Sequence, residues 1–296
     1  SWNLNAVHFH RRTASGVYFD RMPEVMVNAF VDTVMAAVIR YDLDVLFLQE
    51  LTDSMVAGFG KTFGTMGDGS VHKAEQGDGS LYAFVPSDDV GRTFGAHERH
   101  GAIFKHSFVT VSAKTSTGTI DTYRTSVWHV AVAIDTRRSR DFEFDVVNVH
   151  LHAADKDKSK REKDIQTLLS EDTDKNCLVL GDFNAAVSIT DGKLSVAGDD
   201  KGECTSFHSV MDSWMPTTLS GKCFDSIFIS NSLKCRLSED FEPTSSVAAH
   251  DAMRSKAYWG KHGNWLSDHF MVMTTLSLGS STTTTTNTNG GSGGRG

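Results

Sequence analysis

The chain has no stretch approaching the roughly 18 consecutive apolar residues that a membrane-spanning helix requires, so a helical membrane span is not expected. Cysteine is scarce. Cys177, Cys204, Cys223 and Cys235 are the four, none in a CxxC spacing, which argues against a cysteine zinc site. A Cys204–Cys223 bridge is compatible with the spacing but undetermined by it, and the redox compartment stays open. The chain contains no HExxH and no GxxxxGK[ST]. The Gly-rich stretch GFGKTFGTMGDGS (58–70) therefore reads as a long surface loop rather than a phosphate cradle. A basic excess is also missing, because 29 Lys and Arg against 37 Asp and Glu give a formal charge of −8. A module that holds nucleic acid by bulk charge is usually basic, whereas an enzyme acting through a local patch or a metal need not be.

What is present is an alternation of helical and strand-length apolar patterns. PEVMVNAFVDTVMAAVIRYD carries Val27, Phe30, Val31, Val34 and Val38 at helical spacing. DVLFLQ follows as a short strand that ends at Glu50. FEFDVVNVHLH (142–152) is a strand, DKSKREKDIQTLLSED a helix and CLVL a strand again, with FDSIFIS and FMVMTTL closing the series. Helices between strands predict an α/β architecture. The last eighteen residues, from Gly279, are Gly, Ser, Thr and Asn with one Arg, a composition that cannot bury enough apolar surface to order itself. Residues 1–278 are expected to form one domain and 279–296 a flexible tail or linker.

Polar groups gather where the apolar strands end. Glu50 ends DVLFLQ, Asp182 and Asn184 follow CLVL, Asp225 opens FDSIFIS, and Asp268 and His269 precede FMVMTTL; Asn3 and Asn5 lie in SWNLNAV. In the 142–152 strand, Phe142, Phe144, Val146, Asn148, His150 and His152 share one face and turn from apolar to polar along it. Carboxylates and amide oxygens are hard ligands suited to Mg²⁺ or Mn²⁺. Histidines beside carboxylates exchange protons near neutral pH. Together they suggest hydrolysis of a phosphate ester, in which a metal offsets charge developing on oxygen. His97, His100 and His106 cluster around Arg99 and are expected to be solvated or phosphate-facing. The charge run Asp155–Lys163 reads as an exposed helix face.

SWNLNA, LFLQE, NVHLH, LGDFNA, FDSIFIS and SDHF, in this order, resemble the motifs of the endonuclease/exonuclease/phosphatase superfamily, and the overall pattern is similar to its deoxyribonuclease I-like branch. The resemblance implies a four-layer α/β sandwich, two packed mixed sheets with helices outside and the active site at one edge. It implies that Glu50 holds the divalent metal with Asn3 and Asp268 nearby, Mg²⁺ or Mn²⁺, with a structural Ca²⁺ a further option. Asp182 and Asn184 would orient the attacking water and the phosphate. Asp225 would pair with His269, and His150 with a second acid, Asp78. ERHGAIFK resembles the strand that supplies a phosphate-contacting arginine, here Arg99. Departures are also visible. Asn5 stands where the branch has an arginine, Thr52 replaces a groove-reading arginine, and the groove-stacking tyrosine falls near Gln76.

The expected activity is a Mg²⁺-dependent phosphodiesterase acting on nucleic acid, foremost a DNA endonuclease leaving 5′-phosphate ends, with DNA ahead of RNA. The same superfamily chemistry on RNA, a tyrosyl–DNA adduct or a phospholipid head group is a second reading, with selectivity expected in 58–80 and 244–266. A catalytically silent assembly module is a third, although such a chain would normally have lost a metal carboxylate or a histidine. A processed secreted nuclease and one domain of a larger protein both suit a chain that opens on the first motif and closes on a linker.

Overall fold

The apolar spacing of the sequence sets the elements. The structure is a computed structural model that describes residues 1–4, 24–64, 66–67, 70–71, 81–93, 96–114, 124–135, 140–170, 175–196, 199–211, 215–237, 245–247, 267 and 269–277. Helix α1 (Glu24–Arg40) buries Val27, Phe30, Val31, Val34, Ala37 and Val38. Glu24 in its first turn and Arg40 in its last oppose the helix dipole.

Helix α2 (Asp53–Phe63) corrects the reading of 58–70 as a loop: Gly58 to Phe63 are its last turns. Met55, Phe59 and Phe63 recur at i, i+4 and i+8 and are buried, which outweighs the helix-weakening effect of Gly58 and Gly60. Gly58 has a packing reason, because a Cβ there would stand 2.4 Å from Val27 Cγ1 of α1. Thr52 caps the helix by accepting the Met55 N–H, and Gly64 ends it at φ 75°.

The two largest sheets are mixed. The first runs Trp2–Asn3, Val45–Leu51, Ala96–Lys105, Tyr82–Thr93, with the first pair parallel and the others antiparallel. The second runs Phe207–Ser209, Asp225–Ser230, Cys177–Asp182, Arg140–His150, Thr125–Asp135, Val109–Lys114, and only the Cys177–Asp182/Arg140–His150 pair is parallel.

Alternation along the strands builds three apolar layers. Leu46 and Leu48 face α1 and α2. Phe47, Ala102, Phe104, Trp128, Val146, Leu178, Leu180 and Ile227 pack between the sheets. Val147, Val149, Val179 and Phe228 pack under helix α3 (Lys158–Ser170), through Ile165, Leu168 and Leu169. The result is the expected four-layer α/β sandwich, two mixed sheets flanked by helices.

Three further readings change or are filled in. FMVMTTL shortens to Val272–Thr274 and pairs with Ser245–Val247 rather than joining either large sheet. No disulfide links the cysteines, the Cys204–Cys223 pair included. In the charge run, Lys156, Lys158, Lys160 and Lys163 are exposed, but Arg161 is buried and donates to the carbonyls of His152 and Ala154. The 279–296 tail, and 244–266 apart from Ser245–Val247, lie outside the described residues. No described helix is long and apolar enough to cross a membrane.

Candidate active site

Three strands of the second sheet bring their polar ends into one lateral row. Asp182 is in register with His150 on one side and with Asp225 on the other. Gly181 precedes Asp182 at φ 128°, and a Cβ there would lie 2.2 Å from the Val149 carbonyl. Only glycine accepts both that backbone conformation and that approach. Beyond Asp182 the chain turns. The Asn184 N–H donates to Asp182 Oδ1 at 2.7 Å, and Asn184 takes a left-handed φ of 50°. Phe183 anchors the turn from below, edge-on to Phe228. The carboxamide Nδ2 of Asn184 donates to the Leu151 carbonyl at 2.9 Å and to Asp182 Oδ2 at 3.2 Å.

The first sheet supplies Glu50 through an irregularity. Register shifts between Leu48 and Leu51, and Glu50 itself has φ 57°. Strained backbone of this kind persists where packing over-determines it and is frequent at functional sites. Glu50 Oε1 thereby reaches His150 Nε2 at 3.3 Å and the Asn3 amide at 3.5 Å. Asn3 Nδ2 also donates to Asp182 Oδ2 at 3.0 Å. One level deeper, Gln49 Nε2 donates to Asn148 Oδ1 and Asn148 Nδ2 donates to the Leu48 carbonyl, an amide clasp across the two sheets.

His269 is held in place by Ser267 and by the N-terminal strand. Ser267 Oγ donates to the Asn3 carbonyl and accepts the His269 N–H, while the Trp2 indole donates to the His269 carbonyl. Its ring meets Asp225 Oδ2 through Nδ1 at 2.9 Å and Asp182 Oδ2 through Nε2 at 3.6 Å. Thr217 Oγ1 accepts the N–H groups of Phe224 and Asp225, which fixes the start of the Asp225 strand.

The acid beside His150 is Glu98, whose Oε1 lies 2.6 Å from His150 Nδ1. Asp78, expected in that place, lies outside the described residues, as do Asn5 and Asp268. The signal for Glu98 was present in ERHGAIFK: alternation puts Glu98 and His100 on the face of Ala102 and Phe104, between the sheets, and Arg99 on the other. His100 is accordingly fully buried rather than solvated. Arg99 does not join the cluster. It is half-buried on the outer face, with Nε 2.7 Å from Asp53 Oδ1. His152 falls beyond the strand end at His150.

Glu50, Glu98, Asp182, Asp225, His150 and His269 are all buried, so the site concentrates four acids and two imidazoles out of water. Burial pushes the Glu50 carboxyl up to about 7, against the opposing pull of His150. Burial also raises Asp225, against the neighbouring His269. For His150, burial works downward but the Glu98 and Glu50 acids outweigh it and raise the imidazole to about 9. Glu98 is held well below the usual range: burial opposes this, but the His150 charge and hydrogen bonds from His100 and His150 prevail. Two buried oxygens, Glu50 Oε2 and Asp225 Oδ1, have no hydrogen-bond partner. Orphaned acid oxygens in an acid-rich pocket fit a hard divalent cation. The ligand atoms of Asp182, Asp225 and His269 lie within 4.8 Å of one another, so residues expected to handle protons also form a candidate cation group.

Residues 1–269 match the Endonuclease/Exonuclease/phosphatase family. The chain belongs to this family. Its fold is shared with Danio rerio TDP2 humanized by 14 mutations, at TM-score 0.55 and 15% identity over 94% of this chain and 97% of that one. D. rerio TDP2 complexed with a single-strand DNA product gives TM-score 0.54 and 16% identity over 85% and 93%. A search of curated proteins found no significant match.

Proposed function

We propose that this family member is a Mg²⁺- or Mn²⁺-dependent phosphodiesterase that cleaves nucleic acid, foremost DNA, leaving a 5′-phosphate. The observation that carries the proposal is the pairing of two imidazoles with two acids around one carboxyl. His150 Nε2 and His269 Nε2 lie 3.8 and 3.6 Å from the same Asp182 Oδ2, and each ring is held from behind, by Glu98 and Asp225 respectively.

Each acid fixes its ring at Nδ1 and leaves Nε2 facing the space beside Asp182. One imidazole accepts the proton of the water that attacks phosphorus. The other delivers a proton to the leaving 3′ oxygen, so the products are a 5′-phosphate and a 3′-hydroxyl. Asp182 and Asn184 orient the water and the phosphate. Glu50, with Asn3 and Asp268, would hold the cation, and Asp182, Asp225 and His269 form a second group able to contact one. When bound, a divalent ion offsets the negative charge that develops on the phosphoryl oxygens.

A second reading concerns the nucleic acid rather than the reaction. Thr52, at the position where the branch has a groove-reading arginine, is buried as the cap of α2 and cannot reach a duplex. This supports single-stranded DNA or RNA over B-form duplex, and D. rerio TDP2, of the same fold, holds a single-strand DNA product. The test is hydrolysis of single-stranded DNA, duplex DNA and RNA with and without Mg²⁺, alongside Glu50→Ala and His269→Ala. Cleavage that requires Mg²⁺ and both side chains is expected. Wild-type protein inert toward every phosphodiester would overturn the proposal.

A further inference from the structure

Behind the Glu98–His150 pair lies a buried polar chain that leads away from the site. The His100 ring is fully buried, with Nε2 3.5 Å from Glu98 Oε1 and Nδ1 2.8 Å from Ser126 Oγ. Ser126 Oγ in turn accepts from the Trp128 indole Nε1 at 2.9 Å. Chemistry fixes the direction at the two ends. An indole N–H only donates, so Ser126 Oγ is an acceptor toward Trp128, and its own hydroxyl proton is available to His100 Nδ1. An ionised carboxylate only accepts, so the ring nitrogen facing Glu98 must carry a proton. The Glu98 end requires a proton on His100 Nε2, and the Ser126 hydroxyl suits that tautomer by donating to the bare Nδ1. Burial favours that neutral ring, although Glu98 opposes it.

We propose that Trp128, Ser126 and His100 form a buried polar relay, closed by the 3.5 Å contact of His100 Nε2 with Glu98 Oε1, that positions Glu98, and that His100 is a positioning residue for the reaction of His150. This rests on the function proposed above. The donors run from Trp128 to Ser126, to His100 and to Glu98 Oε1, where His150 Nδ1–H meets the same oxygen, while Arg124 Nε lies 3.8 Å from Oε2. With two imidazoles at Oε1 and the Arg124 guanidinium facing Oε2, the Glu98 carboxylate keeps one orientation and stays an acceptor. His150 thereby keeps its Nδ1 proton directed at Glu98 in either charge state, with Nε2 left toward Glu50 and Asp182. The relay is built into the sheet: Glu98 and His100 share one strand face, Ser126 and Trp128 another, and Ser126 and Trp128 pair in register with Asn148 and Val146 of the His150 strand.

Two measurements test this. Nitrogen-15 NMR of the metal-free wild type should show neutral His100 protonated at Nε2, and His150 protonated at Nδ1. Under saturating substrate with Mg²⁺, His100→Leu should lower kcat about 10- to 100-fold, the range seen when an orienting partner is lost. KM should stay within about twofold, because His100 does not touch substrate. His100→Gln, which keeps an amide donor toward Glu98, should recover most of the loss. A His100 ring protonated at Nδ1, or a folded His100→Leu protein with wild-type kcat, would overturn the relay. If the wild type hydrolyses no phosphodiester, the proposed function fails while the NMR result still decides the relay.

Discussion

The layer between the two sheets has two ends, made by the same strands and opposite in chemistry. On one face of each strand, Phe47 gives way to Gln49, Phe104 and Ala102 to His100 and Glu98, Val146 to Asn148 and His150, Leu180 to Asp182, and Ile227 to Asp225. Five strands switch at one level. At the far end each fully buried aliphatic or aromatic side chain contributes about 1.5–3 kcal/mol through removal from water. At the site end the same depth of burial costs free energy unless every acid finds a partner, and here two oxygens have none. The candidate site is thus an edge of the core where burial costs stability instead of supplying it.

The sharpest way to break this comparison uses two positions on one strand. Asp182→Asn should reduce phosphodiester hydrolysis by about 10³-fold, the scale of losing a group aimed at the reacting charge, with circular dichroism and melting temperature retained. Leu180→Ala, one step along the same face, should cost about 2–5 kcal/mol in urea unfolding while kcat of the folded fraction holds. Equal effects on both quantities at both positions would erase the distinction between the two ends.

Glu98→Gln is expected to come next. It should lower kcat about 10- to 100-fold. It should also bring the His150 midpoint of the metal-free protein down from about 9, because the charge chiefly responsible for raising it is gone. An unmoved midpoint in an NMR titration would remove Glu98 from its assigned place.

The metal-free protein should also lose stability as pH rises. Glu50 has its folded pKa raised to about 7, so the unfolded chain releases this proton first and stability falls between about 4.5 and 7. His150 has its folded pKa raised to about 9, so its contribution is full below about 6.5 and disappears as pH climbs through 9. Glu50→Gln should flatten the more acidic part of that decline in a series of thermal melts, and added Mg²⁺ should oppose it in the wild type. The smallest effect belongs to the surface: Asp53→Ala breaks a largely exposed ion pair, should change stability by less than about 1 kcal/mol, and releases Arg99. Lower KM without a change in kcat would mark Arg99 as a substrate contact.

Much of the site was legible because strand alternation is short-range. His150, Asp182, Asp225 and Glu50 sit at the ends of apolar runs, and residues that terminate a buried strand must emerge at the sheet edge. Glu98 was harder to see, since its partner His150 is 52 residues away and only the antiparallel pairing within each sheet and the stacking of the two sheets bring them together. The helical character of 58–63 was hidden by two glycines, whose local propensity is outweighed by burial of Phe59 and Phe63 and by the close approach to α1. His100 was misplaced outward because histidine is polar, although its parity with Phe104 pointed inward.

The α/β order of elements, the family, and the inventory of acids, amides and imidazoles at strand ends could be read along the chain, because periodicity and local motifs depend on neighbours in sequence. Tertiary structure alone decided which acid serves which histidine, that Arg99 turns to Asp53, and that His100 and Ser126 stand behind Glu98. Those are contacts between strands and between sheets. They depend on register and on packing distance, which no stretch of consecutive residues encodes.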